Sequence, residues 1–212
     1  MKFWSDSLSN NGVIAPRYAF GKYNATSHVE LSDNVNPHMA WADLPEGTKS
    51  LALLCCDPDV PSKGDDVNQE GRTVPASLKR VDFYHWVLVD IDPASGEIAE
   101  GAYSSGVTPR GKEGPAGPNG TRRGVNNYVE WFSGDADMSG DYFGYDGPCP
   151  PWNDEIVHHY AFTLYALDVK SCPVEGRFTG PDVVEAIKGH LLGEATITGT
   201  YHIYPKARSL RA

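Results

Sequence analysis

The sequence has no apolar run approaching the roughly 18 residues needed to span a bilayer, and its opening MKFWSDSLSN holds no apolar core of signal-peptide length. A cytoplasmic protein with no transmembrane segment is therefore expected. Cysteine is scarce. The four residues Cys55, Cys56, Cys149 and Cys172 include no C-x-x-C pair, which argues against a zinc site. Cys55 and Cys56 are neighbours on an expected strand, so their side chains face opposite ways and cannot readily bridge. Reduced thiols in a reducing compartment are the expectation. Basic residues are also in deficit: 18 Lys and Arg against 28 Asp and Glu give a formal charge of −10. That balance excludes a general nucleic-acid binder, whose affinity rests on clustered Lys and Arg. The one basic stretch, Arg110 to Arg123, is broken by Gly and Pro and is expected to be a solvated loop.

Long helix-forming runs are few, whereas 22 glycines, 16 prolines and 11 tyrosines favour turns and strands. With 212 residues, 40% of them hydrophobic, the chain is long enough for one core and one domain, and the class is mainly β. Ser50 to Cys56 (SLALLCC) is an apolar run that ends in Asp57-Pro58-Asp59-Val60-Pro61, so a buried strand is expected to stop at Asp57. Residues 62–82 are polar and aperiodic, a long surface loop with at most one short helical turn. Phe83 to Ile91 alternates as a strand. Its expected faces are Phe83, His85, Val87, Val89 and Ile91 on one side and Tyr84, Trp86, Leu88 and Asp90 on the other.

Residues 104–127 form a second glycine-rich loop. Gly106 to Lys112 matches G-x-x-x-x-G-K, but Glu113 stands where Ser or Thr should follow and Pro115 opposes the required helix, so a P-loop is rejected. Ile156 to Leu167 is the next strand, with His158, Tyr160, Phe162 and Leu164 on one face and His159, Ala161, Thr163 and Tyr165 on the other. Val183, Val184, Ile187 and Leu191 predict a helix over 181–192, opened by Pro181 and Asp182. Ala195 to Tyr204 reads as a last strand.

Three strand ends bring complementary polar groups: Asp57 and Asp59, His85, and His158 with Tyr160. A carboxylate on one imidazole nitrogen fixes the tautomer and leaves the other nitrogen, or a tyrosine hydroxyl, for a ligand oxygen; backbone N–H groups of the 142–151 turn add donors. The arrangement suits a compact anion pocket.

Five segments carry a resemblance: Asn36-Pro37-His38-Met39-Ala40-Trp41, Asp57-Pro58-Asp59-Val60-Pro61, Tyr84-His85-Trp86-Val87-Leu88-Val89, Gly144-Tyr145-Asp146-Gly147-Pro148-Cys149-Pro150-Pro151 and His158-His159-Tyr160-Ala161-Phe162. In this order they resemble the phosphatidylethanolamine-binding protein family, also called Raf kinase inhibitor-like proteins, in its bacterial-type branch. The resemblance covers roughly residues 5–204. It implies a Greek-key β-sandwich with a few short peripheral helices, and a small pocket for phosphate-like anions or phospholipid head groups. The implied ligand-binding residues are Asp57, His85, His158 and Tyr160, with Asp59 beside them and a wall from Gly147 through Cys149 and Pro150 to Pro151. It also implies a non-enzymatic role, modulation of a kinase-like or protease partner, and a homodimer as one candidate assembly. No metal, cofactor or catalytic residue is assigned. Two alternatives stay open: a hydrolase using the same Asp and His groups, which lacks a G-x-S-x-G nucleophile motif, and a protein-inhibitor module acting through 62–82. Cys149 has two readings, a packing thiol or a redox-sensitive group.

Overall fold

The structure is a computed structural model and describes residues 1–203. Its strands are β1 (Lys2–Trp4), β2 (Gly12–Val13), β3 (Gly21–Asn24), β4 (His28–Leu31), β5 (Met39–Ala42), β6 (Ser50–Pro61), β7 (Arg80–Ile91), β8 (Glu97–Ile98), β9 (Arg122–Arg123), β10 (His158–Leu167) and β11 (Leu191–Tyr201). Two short helices join them, α1 (Tyr128–Trp131) and α2 (Gly180–Ala186). A six-stranded sheet, β2-β11-β10-β6-β7-β9, faces the three-stranded sheet β1-β5-β8, and β3-β4 forms a separate hairpin. The fold is mainly β, a sandwich of the expected kind.

Alternation along the central strands builds two apolar layers. Leu51, Leu53 and Cys55 of β6 join Phe162 and Leu164 of β10 and Met39 and Trp41 of β5 between the sheets. Ala52 and Leu54 point the other way, where Val183 and Ile187 of the α2 region and Phe178 cover them. Cys55 and Cys56 do fall on opposite faces, the first fully buried and the second half-buried, and all four cysteines are unpaired.

Three elements differ from expectation. First, β6 runs on through Asp57 to Pro61. The two prolines are tolerated because the ladder carries an extra residue there: Asp57 pairs with Phe83 and Val60 with Val81, so three steps on β6 oppose two on β7. The long loop correspondingly spans 62–79, with Arg80 already in β7. Second, α2 ends at Ala186. Gly189 takes a left-handed φ of 86° and turns the chain, so Leu191 opens β11 and is exposed. Helical spacing at Leu191 was coincidence with a strand start. Tyr204, expected in that strand, lies outside the described residues. Third, the basic stretch is not simply solvated. Lys112 Nζ bonds the buried Asp146 carboxylate at 2.7 Å, and Arg122 pairs with Asp90 of β7.

Candidate functional site

The face assignment along β7 also breaks, and the break builds the site. Cys55 pairs with Trp86 and Cys56 with Tyr84, so His85 is an extra residue in β7. At such a bulge two consecutive side chains lean to the same side. His85 and Trp86 are both buried toward the layer between the sheets, whereas Val87 and Val89, expected beside His85, join the layer under α2. A second irregularity, between the Leu53–Leu88 and Leu51–Ile91 pairs, restores the phase and returns Ile91 to the inner layer.

Asp57, Val60, Pro61, Phe83, His85, Tyr128, Trp131, Cys149, Pro150, Pro151, His158 and Tyr160 line a cavity of about 30 Å³, on the scale of one or two water-sized groups. Of the residues expected in it, Asp57, His85, Cys149, Pro150, His158 and Tyr160 are there. Asp59 and Gly147 are not. Asp57 and Val60 share the cavity because of the β6 bulge, which turns Asp59 away; its carboxylate instead accepts from the backbone N–H and Nδ1 of His159, both at 2.8 Å. Gly147 stands behind the wall. A Cβ there would lie 2.0 Å from the Tyr18 carbonyl oxygen, so only glycine fits. The turn's amides are also committed: Gly147 N–H donates to Asn34 Oδ1 and Asp146 N–H to the His85 carbonyl. Phe83, Tyr128, Trp131, Val60 and Pro61 escaped sequence reasoning, because no local pattern links a one-turn helix to a strand bulge.

His158 and Tyr160 arrive together, since β10 alternates strictly: both are buried while His159 between them is exposed. His158 Nδ1 lies 2.7 Å from Asp57 Oδ2, and its Nε2 lies 3.1 Å from Asp154 Oδ2. Both nitrogens of His158 are thus committed to carboxylates. Burial alone would depress the His158 pKa, but the hydrogen bonds and charges of Asp154 and Asp57 outweigh it and lift it to about 9. An imidazolium results at neutral pH. Burial would likewise raise the Asp154 carboxyl, yet its bonds from His158 and Arg80 hold it below the ordinary range.

His85 is the opposite case. Its Nδ1 lies 2.9 Å from the Asp146 carbonyl, which fixes that nitrogen as the donor and leaves Nε2 for a ligand. Burial dominates and pushes its pKa down, against the raising influence of Asp57. Phe83, Tyr128 and Tyr160 surround the ring, with centroids 4.7, 5.5 and 5.1 Å away. The fully buried Tyr160 hydroxyl has no partner in hydrogen-bond geometry. Burial, then the nearby Asp57 carboxylate, raises the Tyr160 phenol well above its usual value, so it stays a donor. Burial also pushes the Cys149 thiol up to about 12, which favours packing over redox reactivity. Among the described residues no cluster of three or more His, Cys, Asp or Glu is arranged to hold a metal ion.

The model of the family described as "Phosphatidylethanolamine-binding protein" matches residues 4–202. The chain belongs to this family. A UPF0098 protein of Methanothermobacter thermautotrophicus is 34% identical over 201 residues, covering 95% of this chain and 98% of that protein. UPF0098 protein YbhB of Escherichia coli is 27% identical, covering 95% and 99%. In solved structures, YbcL of Escherichia coli, described as a member of the mammalian PEBP family, superposes with a TM-score of 0.66 at 22% identity, over 95% of this chain and 97% of YbcL. The homologue CT736 of Chlamydia trachomatis gives 0.61 at 26%, over 94% and 95%. The sandwich architecture is therefore that of the phosphatidylethanolamine-binding fold, in agreement with the expected class. Among the described residues no helix is long and apolar enough to cross a membrane.

Proposed function

We propose that this chain is a non-enzymatic binding protein whose pocket takes a phosphate-like group, either a free anion or the head group of a phospholipid. The carrying observation is the Tyr160 hydroxyl, a buried donor without a partner that lines the cavity beside His85. An unpaired buried polar group costs about 1–3 kcal/mol, and a ligand oxygen would recover that cost. His85 Nε2, once protonated, is the second donor to the same anion. The apolar rim of Val60, Pro61, Trp131, Pro150 and Pro151 suits the non-phosphate part of an amphiphile. Hydrolysis is the weaker reading. His158 has both nitrogens committed to carboxylates, which removes it as a general base, and the Cys149 thiol is held protonated. The unpaired thiols support a reducing compartment.

Calorimetric titration with phosphoethanolamine tests the reading. Saturable binding should weaken by about tenfold in Tyr160→Phe, one charge-assisted bond's worth, and more in His85→Ala. Absence of any saturable, His85-dependent signal with phosphate or phosphoethanolamine removes the proposal.

A further inference from the structure

Asp154 belongs to none of the segments that carry the family resemblance, yet it stands at the centre of a buried cluster of charged groups. Arg80 Nη1 and Nη2 grip its two carboxylate oxygens, at 2.5 and 3.0 Å, and His158 Nε2 meets it from the other side. Side-chain exposure along the file Asp57, His158, Asp154, Arg80 is 2, 0, 1 and 12%. Carboxylate oxygens only accept, so an imidazole held between two of them needs a proton on each nitrogen. Arg80 also donates to the Asp59 carbonyl in the β6 bulge and to the Pro75 carbonyl in the 62–79 loop. One guanidinium therefore joins the bulge that aims Asp57, the loop, and the acid that holds His158.

The neighbouring residue completes the attachment. The Asn153 amide donates to the carbonyls of Asp66, Gln69 and Arg72, and its oxygen accepts from the Asn68 N–H. Val74 N–H bonds the Asn153 carbonyl. Loop 62–79 is thus wrapped on the segment that carries Asp154.

We propose that Asp154 and Arg80 are positioning residues of the ligand pocket: Asp154 keeps both nitrogens of His158 protonated, so that His158 fixes the Asp57 carboxylate, while Arg80 holds the Asp154 carboxylate in place and fastens loop 62–79 to the same wall. The inference rests on the pocket being the ligand site. The charged and titratable groups facing His158 are Asp57 from β6 and Asp154 from the segment before β10, with Arg80 of β7 behind Asp154 and Tyr160 next along its own face. Removing the Asp154 charge should make His158 easier to deprotonate. Removing the Arg80 charge should not, because it takes away a like charge. A merely structural role predicts no such difference in sign.

The test uses the full chain with ¹⁵N-labelled histidine, and inorganic phosphate as the probe. In the wild type both His158 nitrogens should remain protonated at about pH 8; Asp154→Asn should lower the titration midpoint by about one pH unit or more, whereas Arg80→Gln leaves it level or raises it. Phosphate affinity of Asp154→Asn relative to wild type should fall about fivefold at pH 8 and less than about twofold at pH 5.5, where His158 is protonated in both. An unchanged midpoint in Asp154→Asn overturns the proposal, and so does an equal loss of affinity at both pH values. Should Arg80→Gln fail to fold, the Asp154→Asn midpoint and affinity ratio decide alone. If the wild type binds no phosphate, the proposed function fails, while the nitrogen signals still decide whether Asp154 holds His158 protonated.

Discussion

His85 and His158 share a cavity but have pKa values displaced in opposite directions, because one is surrounded by rings and the other by carboxylates. The consequence for stability can be signed. His158 has a raised folded-state pKa, so its contribution is complete below the unfolded value of about 6.5 and is lost as pH rises through about 9. His85 has a depressed one, so its contribution is present above about 6.5 and is lost as pH falls through its lowered value. Chemical denaturation from about pH 5 to 10 should therefore show a maximum near neutrality, and His158→Gln should flatten its alkaline side. An unchanged alkaline slope in that variant would contradict the assignment. Ligand binding follows the same logic: a phosphate-like anion favours protonated His85, so affinity should rise as pH falls from about 8 to 6, with proton uptake detectable as buffer-dependent heat.

At the scale of elements, the turn 142–151 is a rigid wall because polar atoms on both sides of it are paired. Asp146 accepts from Asn34, Lys112 and Asn126, Tyr128 hydroxyl donates to the Gly147 carbonyl, and Phe20 N–H to that of Pro148. Lys112→Met leaves a buried carboxylate short of its cation and should cost about 3–5 kcal/mol in a denaturant melt. Gly147→Ala should be comparably damaging, since the obstacle is backbone and cannot swing aside. Loop 62–79 is held differently, with the Asn153 side chain alone bonding four of its backbone groups. Asn153→Ala should accelerate tryptic cleavage after Lys63 or Arg72 by about tenfold or more, as local opening separates from global unfolding. Equal cleavage rates would show that the loop is held elsewhere.

Across the whole molecule, what could be read in the chain followed from alternation on a single strand. Cys55 and Cys56 separated onto opposite faces, and His158 and Tyr160 from His159, because on a regular strand each side chain takes its side from its own neighbours. Three features were hidden for one reason: they depend on a partner distant in sequence. Asp59 turns outward, and His85 leans beside Trp86, only because β6 and β7 each carry an extra residue against the other. Asp154 pairs with Arg80 across 74 residues. Leu191 fitted the helical spacing, but Gly189 had already turned the chain. The inner layer is the simplest feature to test. Leu53→Ala, at a site with no exposure, should cost about 2–5 kcal/mol, with phosphoethanolamine affinity per folded molecule unaltered.

The paired irregularities of β7 behave like two compensating frameshifts. Between them Val87 to Val89 are read in a different frame from His85 and Ile91, although a simple count across the whole segment comes out right. A deletion that takes out the extra residue of one bulge would regularise the ladder and leave every later side chain on its present side, whereas a one-residue deletion between the bulges would put every later side chain on the wrong side. A relative that lacks one bulge should therefore be shorter by one residue at that point, and between the bulges β7 should tolerate changes of length only in twos.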